Sequence, residues 1–280
     1  MIPAAFEYEV AESPEHAIEL LGRYGEEAKL LAGGQSLLNF MKLRFARPSA
    51  LVDIGRISEL EYVRDAGEGV AVGALTRYEE GHRDETLWRY CPLLAHACGE
   101  VGDPQVRHMG TIGGAVAHAD PASDVPAALL ALDADVVVHG TAGERTVAAR
   151  DFFKSPFETD LGPQDVVVEV RVPKLEGRGW SYKKFHPRAQ DWAIVGVAAL
   201  VQRSNGGIGR ASVALTNMGP TPLRASSVEE ALASGEDVAR AAESAAEGTS
   251  PVTDPFATAD YRRYLAPILV RRAIEEAMGR

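Results

Sequence analysis

The chain has 280 residues, 46% of them apolar and 25% charged, and its 29 Lys and Arg stand against 40 Asp and Glu for a formal net charge of −11. This composition excludes a disordered chain and leaves room for one or two substantial cores. The charge argues against nonspecific binding to nucleic acid or to an anionic membrane, although a small anion held by backbone amides stays compatible with it.

No apolar run approaches the ~18 residues of a membrane-spanning helix, so no membrane span is expected. The opening MIPAAFEYEVAESPE lacks the basic start and apolar stretch of a signal peptide, and the expected location is the cytoplasm. The two cysteines, Cys91 and Cys98 in CPLLAHAC, suit neither a CxxC pair nor an iron–sulfur cluster, and core packing is their expected role.

Phe6 to Val10 alternates as a short strand, and Ser13-Pro14-Glu15 then supplies an N-cap, a first-turn proline and a favourable acid for a helix through AIELLGRYG. Lys29 to Ala32 and Ala50 to Ile54 are apolar strands, which makes a β-α-β start with a Gly-Gly loop opening from the second strand. Beyond Leu60, Tyr62-Val63 and Val70 to Gly73 flank DAGEG as a hairpin, and one helical region is predicted from Tyr78 to about Val101. After a second Gly-Gly loop, Ser123 is expected to cap a helix through VPAALLAL; DADVVVHGTAGERTV reads as two strands, and Val166 to Val172 as another.

Pro173 to Gly177 is a plausible linker. Strands follow at Ser181 to Phe185, Ile194 to Arg203 and Arg210 to Thr216, with NGG at 205–207 as a turn, and helical patterns occupy 226–247 and 258–278. An antiparallel sheet backed by helices is the simplest arrangement for this last third.

Neither GxGxxG between strand and helix nor GxxxxGK[ST] is intact, and the glycines of GEGVAVG and GGIGRAS sit where hairpins are already predicted. Ser36 lacks the GxSxG frame of a nucleophilic serine. His108 and His118 lack a metal-ligand spacing, and loop hydrogen bonding is their simplest reading. The two Gly-Gly segments differ from these because they combine glycine with donors: Gln35 and Ser36 in LAGGQSLL (31–38), Thr111 in HMGTIGGAVAHADPASD (108–124). Glycine permits close approach and positive φ, so successive amides can converge on a phosphate-sized anion without basic side chains.

LAGGQSLL, QVRHMGTIGGAVAHADPASD, YKKF with DWAIVGVAA, and TNMGPTPLRASSVEEAL resemble, in this order and over nearly the whole chain, the FAD-binding medium subunits of carbon monoxide dehydrogenase and xanthine dehydrogenase-type molybdenum hydroxylases. The resemblance implies an α+β fold: two α/β FAD-binding subdomains of the vanillyl-alcohol oxidase type (1–59 and 60–173) and a C-terminal domain (174–280) with a three-stranded antiparallel sheet and helices. It implies FAD as cofactor, with Ala32, Gly33, Gly34, Gln35, Ser36 and Leu37 in one diphosphate-wrapping loop and Thr111, Ile112, Gly113 and Gly114 in the other. It further places Asp124 on a flavin hydroxyl, Val101 and Val167 against the cofactor, and Lys184 and Asp191 near the isoalloxazine, where Asp191 would fix the lysine. Two departures stand out, Ala115 where relatives often carry Asn or Ser and His108 where Asn is frequent.

The function implied is an electron-transfer subunit of a heterohexamer. It would take electrons from an iron–sulfur small subunit, fed by a molybdenum-cofactor large subunit, and pass them to NAD, a quinone, oxygen or another acceptor. The alternatives are a stand-alone flavin reductase or oxidase on the same fold, which would need its own acid or base, and a non-enzymatic assembly protein that retains the flavin fold.

Overall fold

The computed structural model describes residues 2–204 and 207–279; Asn205 and Gly206 of the predicted NGG turn lie outside them. The first segment runs β1 (Glu7–Val10), α1 (Pro14–Tyr24), β2 (Ala28–Leu31), α2 (Leu37–Lys42) and β3 (Ala50–Asp53). Its strands form a parallel sheet in the order β1-β3-β2. Ser13 caps α1 by accepting from the His16 amide at 3.1 Å. Ala17, Ile18, Leu20 and Leu21 form the buried side of α1, in one cluster with Val52, Ile54, Val137, Val166 and Val168. Because the strands are parallel, β2 delivers the AGGQS loop to their common C-terminal edge, where open α/β sheets characteristically bind ligands.

The second segment opens with β4 (Val63–Asp65) and β5 (Gly69–Gly73), the expected hairpin. Six helices follow: α3 (Tyr78–Arg83), α4 (Glu85–Tyr90), α5 (Pro92–Gly99), α6 (Pro104–Met109), α7 (Ile112–His118) and α8 (Asp124–Ala131). The helical region expected from Tyr78 to about Val101 thus divides into three helices. Asp84 stops α3 and caps α4, accepting from the Leu87 amide at 2.8 Å. Pro92 cannot extend α4 and begins α5 instead. Next come β6 (Asp135–Gly140), β7 (Gly143–Ala148), α9 (Ala149–Phe152), the short pair β8 (Phe153–Ser155) and β9 (Glu158–Thr159), and β10 (Val166–Pro173). The main sheet is antiparallel, in the order β4-β5-β10-β6-β7. The register of β10 shifts between Val167 and Glu169, so Val166 and Val168 enter the first segment's core while Val167, Val170 and Val172 enter the core beneath the helices.

In the last segment β11 (Arg178–Phe185), β12 (Val195–Ser204) and β13 (Gly207–Thr216) form the expected antiparallel sheet, extended by a two-residue fourth strand, β14 (Leu223–Arg224). Ala198 and Leu200 of β12 point into the core that contains α8, whereas Val197, Ala199 and Val201 point toward α12 (Ala259–Gly279). A strand covered on both faces has no use for polar alternation, which explains the unbroken VGVAALV run. The helical pattern at 226–247 divides into α10 (Ser226–Ala233) and α11 (Val238–Glu243), separated at Gly235, whose φ is 91°. None of the described helices is long and apolar enough to cross a membrane.

Candidate functional site

The Ala32–Ser36 loop joins β2 to α2. Gly34 takes φ 70°, a left-handed conformation that costs glycine little. The carbonyls of this turn are in use: Gly34 accepts from Leu38, Ser36 from Phe40, Gly33 from the Gln35 side chain and Gln35 from the Asn39 side chain. Its amides are not. Among the described residues the N–H groups of Gly33, Gly34, Gln35, Ser36 and Leu37 have no protein acceptor, and the Ser36 hydroxyl does not cap α2. A half-buried run of five uncommitted amides around a left-handed glycine is a concave donor set of the kind that holds a phosphate.

The second Gly-Gly segment is built differently from the loop expected. Thr111 is the N-cap of α7, its Oγ1 accepting from the Gly114 amide at 3.0 Å, so Ile112, Gly113 and Gly114 form the first helical turn. The Ile112 amide donates to Thr76 O at 3.0 Å and the Gly113 amide to Ala74 O at 2.8 Å. These amides are therefore engaged inside the fold in the ligand-free chain. What they do is dock α7 against the end of β5, where a Cβ on Gly113 would lie 2.5 Å from that of Ala74. The two glycine segments do meet: Gly33 faces the Met109 carbonyl and the Cα of Gly110, immediately before Thr111.

Lys184 and Asp124 also come together, from β11 and the first turn of α8. Lys184 Nζ lies 2.7 Å from Asp124 Oδ2 and donates equally closely to Glu100 O, beside half-buried Val101. The Tyr182 hydroxyl donates to Asp124 Oδ1 at 2.7 Å, with the Thr216 hydroxyl 3.3 Å away. The side chains of Lys184 and Asp124 are only 1% and 5% exposed. Burial pushes the Asp124 carboxyl above its ordinary range, against the pull of the ammonium and the phenol; burial and the Asp124 charge push Tyr182 upward as well. Both Asp124 oxygens are thus engaged by the C-terminal sheet, so this pair fastens that sheet to α8 and to the end of α5.

Asp191 is not the partner of Lys184. It sits in the turn between β11 and β12, its amide bonded to Arg188 O and its carboxylate 4.0 Å from Arg188 Nε. Val167 is buried in the core into which α7 and α8 pack. His108 bonds Pro104 O one turn back at 2.7 Å. His118, expected to hydrogen-bond a loop, is instead packed between Phe40 and Phe157, with ring centroids at 5.5 and 5.1 Å, and burial holds its pKa below the usual histidine value. Ala115 is buried in the core cluster around α7, its amide bonded to Thr111 O.

The amide run of the first loop fits the diphosphate of FAD, and the absence of a Cβ at Gly33 lets this loop pack directly on the backbone of Met109 and Gly110. Tyr182, Thr216 and the Glu100 carbonyl escaped the sequence reading. Tyr182 was within reach of it, because residues two apart on a strand share a face and Tyr182 precedes Lys184 by that spacing. A carbonyl has no side-chain signature, so Glu100 O had no signal.

Residues 4–175 match the family model of the FAD binding domain in molybdopterin dehydrogenase, and residues 180–277 that of the CO dehydrogenase flavoprotein C-terminal domain. A carbon monoxide dehydrogenase medium chain from Hydrogenophaga pseudoflava is 41% identical over 285 residues, covering 100% of this chain and 99% of that one. The alpha subunit of a 6-hydroxypseudooxynicotine dehydrogenase complex from Paenarthrobacter nicotinovorans is 38% identical over 286 residues, covering 100% and 97%. A solved structure of the Hydrogenophaga pseudoflava carbon monoxide dehydrogenase superposes with a TM-score of 0.97 at 43% identity, covering 100% of this chain and 99% of its counterpart. The chain belongs to the FAD-binding medium subunits of the molybdopterin dehydrogenases, and it carries both the FAD domain and the flavoprotein C-terminal domain of that family.

Proposed function

We propose that this chain is the electron-transfer subunit of a cytoplasmic molybdenum hydroxylase, assembled with an iron–sulfur small subunit and a molybdenum-cofactor large subunit in a heterohexamer. Bound FAD supplies the redox chemistry, receiving electrons from the iron–sulfur clusters and yielding them to an external acceptor. The observation that carries the reading is the run of uncommitted amides from Gly33 to Leu37, in a chain whose residues 4–175 match an FAD-binding family.

In this reading Ala32 to Leu37 hold the diphosphate. Thr111 to Gly114 shape the wall opposite through their packing rather than their amides. Val101 and Val167 would line the cofactor, and Asp124 and Lys184 would support it by fixing α8 against the C-terminal sheet. The working units are 1–59, 60–173 and 174–280. The substrate belongs to the large subunit, in keeping with relatives whose names carry substrates as different as carbon monoxide and 6-hydroxypseudooxynicotine. Two cysteines are too few for a cluster bound through four thiolates, which leaves the iron–sulfur relay to a partner.

Native co-purification with metal analysis tests this. One FAD per chain is expected, with iron and molybdenum appearing only in the assembled complex. The FAD-loaded chain alone should leave aldehydes, purines and carbon monoxide unoxidised; turnover of any of them by the metal-free chain would overturn the proposal.

A further inference from the structure

Asn217, at the end of β13, has φ 61°, a left-handed conformation in a residue other than glycine. Its main-chain N–H donates to Pro121 O at 2.8 Å, and its side-chain Nδ2 donates to Ala193 O at 2.7 Å. Pro121 lies in the connection from α7 to α8, between the second glycine segment and Asp124. Ala193 lies near the end of the connection from β11 to β12, two residues after Asp191 and next to Trp192, which is 68% exposed. One residue of the C-terminal sheet thus ties together two connections that no strand pairing joins. Asn suits the position doubly, because it tolerates left-handed backbone better than other non-glycine residues and carries the amide donor that glycine lacks.

We infer that Asn217 is a positioning residue for the bound flavin, acting through Pro121 and Ala193. This rests on the proposed flavin site. The Asp124–Lys184–Tyr182 cluster joins the same segments to one another: Asp124 follows Pro121 by three residues, and Lys184 lies on the strand that leads to Ala193. The buried cluster supplies rigid attachment. Asn217 sets where the two connections stand relative to each other, and with them the course of the chain between Thr111 and Asp124.

The test uses the full chain with two variants. Asn217→Gly keeps the left-handed backbone and the main-chain N–H but removes the bond to Ala193, whereas Asn217→Ala also strains φ. For Asn217→Gly the expected result is FAD binding weakened roughly fivefold, as for one lost hydrogen bond, with an altered visible circular dichroism of the bound flavin. Its apo-protein should melt modestly below the wild type, because the bond to Ala193 is made without flavin and glycine adds a small entropic loss. Asn217→Ala should show the same flavin change together with a still lower apo melting temperature. Wild-type affinity and wild-type flavin dichroism in Asn217→Gly would overturn the inference. So would weaker binding that merely follows a lower melting temperature while the saturated protein keeps its wild-type dichroism. Failure of the flavin reading itself would show separately, as absence of FAD binding by the wild type.

Discussion

Gly33 is pressed against the backbone of Met109: a Cβ at position 33 would overlap the Met109 carbonyl oxygen and lie 2.8 Å from the Cα of Gly110. Arg77 Nη1 donates to the same carbonyl, so that oxygen has little freedom to retreat. Gly33→Ala should therefore push the two glycine segments apart. The expected outcome is FAD affinity lowered by tenfold or more and stability lowered by about 1–3 kcal/mol, the usual range for overpacking. Fluorescence titration of the apo-protein and urea unfolding measure the two effects, and wild-type affinity in the variant would show that the segments need not touch to bind flavin.

Lys184→Met removes one member of a buried ion pair and leaves Asp124 charged without its main partner. The single substitution should destabilise the chain by about 3–5 kcal/mol, whereas Lys184→Met combined with Asp124→Asn should recover much of that loss. Urea unfolding of both variants and of Asp124→Asn completes the double-mutant cycle. A coupling near zero would mean that the pair does not fasten α8 to the C-terminal sheet.

Glu169 on β10 is buried, and burial by itself would raise its pKa. Hydrogen bonds from Tyr62 and Arg171, the Arg171 charge and a bond from Arg64 outweigh that and hold the carboxyl below its ordinary 4.5. Between the folded and unfolded values the native chain binds fewer protons than the unfolded one. The stability contributed by Glu169 is therefore complete above about pH 4.5 and is lost as pH falls through the lower, folded value. Glu169→Gln should cost about 1–3 kcal/mol at neutral pH, and the gap to wild type should close on acidification. Urea midpoints from pH 7 down to pH 3 check this, and a gap that stays constant would refute the assignment.

Cys91 and Cys98 are fully buried, and burial pushes the Cys91 thiol up to about 12 and raises Cys98 further. Neither can present a thiolate to a flavin or to solvent. Denaturant should thus release all bound FAD, leaving no flavin fluorescence on the polypeptide. Both thiols should react with a disulfide reagent only after unfolding. A thiol that titrates in the native chain would contradict the full burial of the two residues.

Local chemistry was legible without coordinates. Ser13-Pro14-Glu15 predicted a helix start because the cap, the proline and the acid act within one turn. The alternation around DAGEG predicted a hairpin because both strands lie within a few residues of the turn. The AGGQS loop could be read as a phosphate holder from the conformational freedom of its glycines, and the order of four motifs pointed to the family. Tertiary structure decided the rest, because it depends on groups that carry no local mark. Whether an amide is available to a ligand depends on which carbonyl folds against it: Thr76 O and Ala74 O, from the end of a distant strand, claim Ile112 and Gly113, while no protein carbonyl accepts from the amides of Gly33 to Leu37. Likewise Lys184 could have paired with nearby Asp191, but the packing of α8 on the C-terminal sheet brings Asp124 to 2.7 Å and buries both charges, and a buried ammonium must take the carboxylate that the packing supplies.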